Sequence, residues 1–131
     1  MPTRSLTWSD FNEAAEQIAS RYRHDGLIGV HGIARGGLPL AVAVSHRLDL
    51  PLLDHGGPNV LVIDDIHDSG QTLAQARQRY PGSRFCVWVT RQVRPEGYGA
   101  VLTDIGQDWL CFPWEDRDRV EQDRQRYEAA R

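Results

Sequence analysis

The sequence predicts an α/β fold in which a central, mostly parallel sheet is flanked by helices. The main observation is residues 60–63, a short apolar run followed first by small polar residues and then by helix formers. Residues 27–48 repeat this order, with an apolar run, a glycine turn and a second helical stretch. Successive strand–loop–helix units are typical of parallel sheets, whose strands are buried on both faces. Such sheets bind ligands at the carboxyl ends of their strands.

The bulk composition is that of one soluble globular domain. The 131 residues are 40% hydrophobic and 25% charged, and this length is sufficient for a single core. No apolar run approaches the ~20 residues of a membrane span, and the N-terminus lacks a signal-peptide pattern. We therefore expect one domain, residues 1–131, in the cytoplasm and without a membrane contact. Cys86 and Cys111 lie in apolar stretches, which predicts buried free thiols.

The charge pattern excludes several classes of function. A net charge of −3 argues against general nucleic-acid binding. All 15 basic residues are arginine, so no mechanism that needs a lysine applies. Neither a P-loop nor a G-x-G-x-x-G pattern occurs, and the usual ATP and dinucleotide interpretations lose their support.

The remaining elements follow from periodicity and turn residues. An N-terminal helix is predicted with Ser9 as its N-cap and with apolar residues at helical spacing. Residues 50–53 are predicted as a short strand and 54–58 as a tight turn. Residues 84–90 and 100–105 are predicted strands. Residues 115–131 form a predicted charged helical tail, which we interpret as a solvated helix rather than a binding arm.

The strongest candidate site follows the apolar run at residues 60–63. Asp64 and Asp65 come at once, and carboxylates suit ribose hydroxyls and a divalent cation. The next segment is small and hydroxyl-bearing, and its members are Asp68, Ser69, Gly70, Gln71 and Thr72. Backbone N–H groups and hydroxyls at a helix start suit a phosphate, and glycine lets the backbone close around it. The alternative is a plain turn in which Asp68 or Ser69 merely caps the helix.

A second candidate loop is the glycine turn after the first predicted core strand, which contains Arg35, Gly36 and Gly37. An arginine beside exposed backbone N–H groups can hold a pyrophosphate through its fork of donors. By itself this pattern is also compatible with an ordinary turn between a strand and a helix.

The run at residues 62–72, Val-Ile-Asp-Asp-Ile-His-Asp-Ser-Gly-Gln-Thr, resembles the phosphoribosyl pyrophosphate (PRPP) motif of type I phosphoribosyltransferases. The later features are similar to those of xanthine-guanine phosphoribosyltransferases: Tyr80-Pro81, a strand that ends in a basic residue, and Asp-Trp-Leu-x-x-Pro-Trp at residues 108–114. The resemblance covers nearly all of residues 6–115. It implies the type I phosphoribosyltransferase fold with a small C-terminal hood, and transfer of phosphoribose from PRPP to N9 of a 6-oxopurine (guanine, xanthine or hypoxanthine). It also implies Mg²⁺, release of pyrophosphate, and a homo-oligomer, either a dimer or a tetramer.

The resemblance also assigns roles to the phosphate-binding residues. Asp64 and Asp65 would hold the ribose hydroxyls, with Asp65 nearest to magnesium. Residues 68–72 would cradle the 5′-phosphate, and Asp68 would in addition approach the purine N7. Residues 35–37 would hold the pyrophosphate. Asp64, Asp65 and Asp68 are therefore the predicted catalytic residues.

The base would be held by Arg91, Trp109 and Leu110. The resemblance implies that Trp109 stacks on the purine and that the Leu110 backbone meets its edge; the alternative for Trp109 is packing. Arg91 stands where the family has a lysine that contacts the purine 6-oxo group. Arginine can donate to the same oxygen and to N7, but it is bulkier and planar. Without the resemblance, Arg91 would be a strand-end surface residue. His67, inside the PRPP-like run, is interpreted as a spacer.

The chain departs from the family between residues 53 and 60. Type I phosphoribosyltransferases usually have a long flexible lid there, whereas this sequence has a tight turn. A lid excludes water and completes the site. A second hypothesis is therefore a lidless PRPP- or nucleotide-binding protein that regulates or senses and has little transferase activity. A third is a hydrolase or phosphorylase that acts on nucleotides at the same site.

Overall fold

The computed structural model describes residues 1–106 and 108–130, so Gln107 and the last residue of the predicted tail, Arg131, lie outside it. The elements in chain order are β1 Thr3–Ser5, α1 Trp8–Tyr22, β2 Gly29–Gly32, α2 Leu38–Leu48, β3 Val60–His67, α3 Gln71–Arg79, β4 Arg84–Thr90, β5 Gly99–Thr103, β6 Trp109–Cys111 and α4 Arg117–Ala129.

The main sheet is parallel throughout and has the strand order β2-β3-β4-β5. The predicted strand at residues 50–53 is reduced to a single parallel bridge between Leu52 and Val30, on the outer side of β2. Two backbone hydrogen bonds attach it, from Val30 N to Pro51 O (3.0 Å) and from Leu53 N to Val30 O (2.7 Å). The chain thus passes from β2 to this edge and back to β3, and the strand order reverses between β2 and β3. The predicted α/β fold class is confirmed, and this reversal is where parallel sheets bind ligands.

β3 is longer than the sequence indicated. Its apolar part is buried, but pairing with β4 continues through Asp64, opposite Val87, to His67, opposite Thr90. The prediction that the strand ends at Ile63 was therefore wrong. The parallel partner β4 carries the ladder beyond the apolar run, so Asp64 and Asp65 both lie within the strand and not after it.

The core lies on both faces of this sheet. Leu61 and Ile63 of β3 face the larger cluster, where α1 and α2 pack, while Val62 faces α3. Successive residues of a strand point to opposite faces, so the unbroken apolar run of β3 is explained by its position between two layers. Cys86 and Cys111 are buried free thiols, as predicted. No helix in residues 1–106 and 108–130 is long and apolar enough to cross a membrane.

α1 begins two residues earlier than the sequence suggested. Its N-cap is Thr7, whose hydroxyl accepts a hydrogen bond from Asp10 N (3.1 Å), while the Asp10 carboxylate accepts one from Thr7 N (2.9 Å). This reciprocal pair satisfies two amides that the helix leaves open. The assignment of Ser9 as the N-cap was wrong, because Ser9 already lies within the helix.

A small second layer is built from the two ends of the chain. β1 pairs in parallel with β6, with Thr3 opposite Trp109 and Ser5 opposite Cys111. α4 follows, and the Asp116 carboxylate caps it by accepting from Asp118 N (2.9 Å). β5 ends at Thr103 and not at Ile105, the end predicted for it. The segment between β5 and β6 therefore leaves the sheet where Asp104 is buried.

Candidate active site

The carboxyl ends of β2 and β3 and the start of α3 enclose a cavity of about 300 Å³, here called the β3–α3 cavity. Its polar lining comes from the predicted motif, namely Asp64, Asp65, Asp68, Ser69, Gly70 and Thr72. Of the residues predicted to cradle a phosphate, only Gln71 is absent from this lining, since it forms the first residue of α3. The structure therefore brings the predicted PRPP motif together around one concave space.

The two adjacent carboxylates are held by the backbone of their own strand. Asp65 N donates to Asp64 Oδ1 (2.9 Å), and Ile66 N donates to Asp65 Oδ1 (2.9 Å). The pKa of Asp64 is raised to about 7, mainly by burial and also by a side-chain hydrogen bond with Asp65 and the negative charge of that residue. Two carboxyl groups this close favour a shared proton when nothing neutralises them. The pair is therefore suited to bind a cation or hydroxyl groups.

The loop before α3 approaches the cavity with its backbone. Gly70, the N-cap of α3, has φ +83°, a left-handed conformation that glycine adopts without strain. Gly70 offers no side-chain cap, and the Ser69 hydroxyl accepts a long hydrogen bond of 3.3 Å from Gln71 N. The capping alternative is thus partly met by Ser69, while the first-turn amides stay available to an anion.

The glycine turn after β2 packs directly on β3. A Cβ atom at Gly36 would collide with the Asp65 carboxylate, and one at Gly37 would collide with the Ile63 carbonyl oxygen. Gly37 therefore packs closely on β3, and its predicted contact with a pyrophosphate stays a prediction. The peptide bond between Ala34 and Arg35 is cis. The turn therefore places Arg35 and Gly36 beside the double aspartate.

Arg35, Gly36 and Asp65 open onto a second cavity of about 740 Å³, here called the Arg35 cavity. Its other wall is the C-terminal segment, including Glu115 and Arg119. Glu115 Oε1 accepts a hydrogen bond from Phe112 N (2.9 Å). Burial raises the pKa of Glu115, and the negative charges of Asp65 and Asp123 add to this, against the lowering effect of that hydrogen bond.

A third cavity, of about 540 Å³, contains two of the three residues predicted to hold a base, and is here called the Trp109 cavity. Arg91 and Trp109 line it together with Asp68 and Tyr127. Leu110 is buried in β6, where its backbone pairs with Arg4, and it does not line this cavity. Asp68 lines both this cavity and the β3–α3 cavity, so the two spaces meet at this residue.

Arg91 is bound to the segment between β5 and β6. Its Nη1 donates to Asp104 O (3.2 Å) and its Nη2 to Asp108 O (2.5 Å). The buried Asp104 carboxylate lies 3.4 Å from Nη1. Arg91 is only 16% exposed and shapes the wall of the Trp109 cavity. The surface alternative for Arg91 is therefore wrong, while its predicted contact with a purine stays a prediction.

His67 was interpreted as a spacer, yet it lines the β3–α3 cavity. Its ring stacks on Tyr98 (4.4 Å between centroids), and its Nδ1 lies 3.1 Å from the Tyr98 hydroxyl. That hydroxyl is 2.7 Å from Thr90 Oγ1. Burial and the positive charge of Arg77 lower the pKa of His67. The interpretation was incomplete, because Tyr98 is 31 residues away and no local pattern marks the contact.

Comparison with known structures identifies the class. No family model matches the chain. The purine phosphoribosyltransferase from Pyrococcus horikoshii superposes with a TM-score of 0.74 at 24% identity, covering 88% of this chain and 96% of that one. The chain therefore has the type I phosphoribosyltransferase fold, as predicted from its motifs.

Its sequence relatives narrow the class further. The xanthine-guanine phosphoribosyltransferase of Cereibacter sphaeroides is 29% identical over 143 residues, covering 86% of this chain and 80% of that protein. The enzyme of the same name from Idiomarina loihiensis is 28% identical, covering 84% of this chain and 85% of that protein. The predicted resemblance to xanthine-guanine phosphoribosyltransferases is thus confirmed.

Proposed function

We propose that this protein transfers 5-phosphoribose from PRPP to N9 of guanine, xanthine or hypoxanthine and releases pyrophosphate. The observation that carries the proposal is the position of Asp68, which lines both the β3–α3 cavity and the Trp109 cavity. A sugar phosphate held by the motif would there meet a planar base held against Trp109. The similarity to xanthine-guanine phosphoribosyltransferases supports the same activity.

The substrate PRPP would extend along the edge of the sheet. The open first-turn amides of α3, with the hydroxyls of Ser69 and Thr72, would bind the 5′-phosphate. Asp64 and Asp65 would accept hydrogen bonds from the ribose hydroxyls, and Arg35 with the Gly36 amide would bind the pyrophosphate. The base would stack on Trp109, which contributes an aromatic face.

The reaction breaks the bond from C1′ to the pyrophosphate oxygen and forms the bond from C1′ to N9. Positive charge develops on the sugar as the pyrophosphate leaves with the bonding electron pair, and the carboxylates of Asp64 and Asp65 stabilise that charge. The purine gives up one proton when N9 bonds to carbon. The Asp68 carboxylate, at the junction of the two cavities, would accept this proton from the imidazole edge of the base.

The donor set at Asp64 and Asp65 fits a magnesium ion that arrives with the substrate. Within residues 1–106 and 108–130, no group of three or more His, Cys, Asp or Glu side chains is placed to hold a metal. Mg²⁺ typically uses one or two carboxylates and completes its shell with substrate phosphates and water. Asp65, beside Gly36 in the Arg35 cavity, would be the protein ligand. When bound, magnesium would neutralise charge on the departing pyrophosphate.

We further propose a single-domain protein of the cytoplasm that forms a homo-oligomer, a dimer or a tetramer, and binds neither membranes nor nucleic acids. The oligomer prediction is tested by light scattering of the purified protein after size exclusion. A monomeric mass would contradict it without affecting the proposed reaction.

The activity is tested by incubating the protein with magnesium and PRPP and adding each purine base separately. Chromatography should show equal amounts of a nucleotide and pyrophosphate with at least one base. The matched control is the Asp64→Asn/Asp65→Asn double variant, which keeps the shape of both side chains and should form no nucleotide. Binding of PRPP without transfer to any base would contradict the proposal and support the regulatory alternative.

A further inference from the structure

One face of the C-terminal helix borders two of the three cavities. Arg119 lines the Arg35 cavity, Tyr127 lines the Trp109 cavity, and Asp123 lies between them. Positions 119, 123 and 127 follow the i, i+4 spacing that places side chains on one side of a helix. The first and last are separated by about 12 Å along the axis, at roughly 1.5 Å per residue. α4 thus spans the distance between the predicted pyrophosphate and base sites.

The charge balance of the Arg35 cavity indicates what Arg119 does. Four carboxylates line it, namely Asp65, Glu115, Asp116 and Asp123, with two cations, Arg35 and Arg119. Asp116 caps α4 and Asp123 lies 3.7 Å from Arg126. The lining therefore carries more carboxylates than guanidinium groups, and Arg119 supplies one of its two positive charges. Without Arg119 a pyrophosphate would meet Arg35 as the one remaining cation among these lining residues, and repulsion by the carboxylates would increase.

Tyr127 acts at the other end of the same helix. Its ring lies on the Trp109 ring, with 5.2 Å between centroids and 39° between planes. A base cannot insert between two rings at that separation, so Tyr127 supports Trp109 from one side and leaves the cavity beside the pair. Aromatic contacts of this kind contribute about 1 kcal/mol beyond the area they bury, which fixes the orientation of an otherwise half-exposed indole.

Outside this face, α4 is attached to the start of the chain: Arg124 Nη1 donates to Met1 O (3.3 Å), and the Met1 ammonium group donates to Glu128 Oε1 (2.9 Å). Val120 is its one fully buried residue among those described, and Arg117 donates to the Ser5 hydroxyl. Most of the helix is exposed and polar, and Arg119 and Tyr127 are themselves exposed, Tyr127 to 47%. Exposure alone does not explain why Arg119 lines the Arg35 cavity and Tyr127 lines the Trp109 cavity. In addition, residues 54–59 are too few to form a cover from the other side of the cleft.

We propose that α4 is part of the active site, with Arg119 as a second arginine for the pyrophosphate group and Tyr127 as a positioning residue for Trp109. This inference rests on the proposed function, because it identifies further residues that bind the same substrates. α4 takes over from the opposite side the contacts that a lid after residue 53 would make. The predicted solvated helix is consistent with the exposure of α4, and the proposal adds a role for the face that carries Arg119 and Tyr127.

The pyrophosphate arm is tested by calorimetry with magnesium pyrophosphate and with PRPP. Arg119→Ala should weaken binding of both by about 10-fold or more, because a hydrogen bond to a charged group is lost. Binding of guanosine monophosphate, which has no pyrophosphate, should stay unchanged. The control is Arg79→Ala, which removes the same charge at the end of α3 remote from the cavity, where Arg79 lies over the Tyr80 ring. Arg119→Lys should recover part of the affinity.

The base arm is tested with guanosine monophosphate binding and with the KM for the base. Tyr127→Ala should raise the dissociation constant of guanosine monophosphate and the KM for the base by about 5-fold, while the affinity for pyrophosphate is unchanged. Tyr127→Phe should behave as the parent chain because the ring is retained. Thermal melting of each variant checks that the fold persists. A variant that melts early is replaced by Arg119→Gln or Tyr127→Leu, which conserve more of the side-chain volume.

The two levels of the argument fail in different ways. If the parent chain binds neither PRPP nor guanosine monophosphate, the proposed function is wrong. If it binds both, but Arg119→Ala equals Arg79→Ala, or Tyr127→Ala equals Tyr127→Phe, the role of α4 is wrong and the proposed function stands.

Discussion

The β3–α3 cavity and the Trp109 cavity are built in opposite ways. The first is formed mainly by consecutive residues, 64–72, which pass from a central strand through a glycine loop into a helix. The second combines residues from the chain start, from the loop before α3, from just after β4, from the segment after β5, from β6 and from α4. A buried parallel strand places the first site rigidly, whereas the second depends on the pairing of β1 with β6. Substrate phosphate binding therefore relies on the core of the fold, and base selection relies on its least central layer.

The largest effect is expected from a substitution that displaces residues of the β3–α3 cavity without removing a functional group. In Gly36→Ala the added methyl group would meet the Asp65 carboxylate, and either the turn or the carboxylate must move. A displacement of about 1 Å at a reacting centre costs about 100-fold in rate, and we expect that loss in kcat/KM for PRPP. The control is Gly106→Ala in the segment after β5, where the nearest atom outside the neighbouring residues is 3.4 Å away. Equal kinetics for the two variants would show that the close approach at Gly36 has no role.

How far each region could be predicted follows from the same contrast. Residues 64–72 are contiguous, so the strand, the loop and the carboxylates were all visible in one run of sequence, and the structure brings them together as expected. The strand's extension to His67 was not visible, because it depends on the pairing of β4 beyond the apolar residues. Thr7 rather than Ser9 caps α1 because Asp10 completes a reciprocal pair, a choice that local preference alone does not decide.

The second region was predicted only through family resemblance, and incompletely. Trp109 and Arg91 do share a cavity, whereas Leu110 does not line it: its side chain is buried in the core and it pairs with Arg4, so the predicted contact of its backbone with a base stays a prediction. Tyr127 and Arg119 gave no signal, because α4 has a single buried residue among those described and its sequence is polar on every side. Their position is determined by the meeting of the two chain ends, which neither periodicity nor spacing encodes.

An intermediate effect is expected in the second region from Trp109→Ala. Removal of a stacking platform costs about 1–3 kcal/mol per base, which corresponds to a loss of about 10-fold or more in affinity for the purine. Binding of PRPP should be nearly unchanged, because the β3–α3 cavity does not depend on this side chain. The control is Trp8→Ala, which removes a 53% exposed indole that packs edge-on against Phe11 at 5.1 Å, away from the cavities. Equal losses for both ligands, or for neither, would contradict the division between the two regions.

The smallest effect concerns stability, and it separates the two regions by their response to pH. The pKa of Asp64 is raised to about 7 in the folded protein, mainly by burial, while an unfolded aspartate titrates near 4. Between these values the folded state binds more protons than the unfolded state, so stability falls as pH rises from about 4 to about 7. Thermal melting of the ligand-free protein across this window should show the decline.

Asp64→Asn should flatten the curve, and should raise the melting temperature at pH 7.5, since an amide has no charge to desolvate. Magnesium with PRPP should remove the decline in the parent chain, because a bound cation favours the ionised carboxylate. A melting curve with the same slope in the parent chain and in Asp64→Asn would mean that the proton resides elsewhere, and that the double aspartate is not the electrostatic centre of the site.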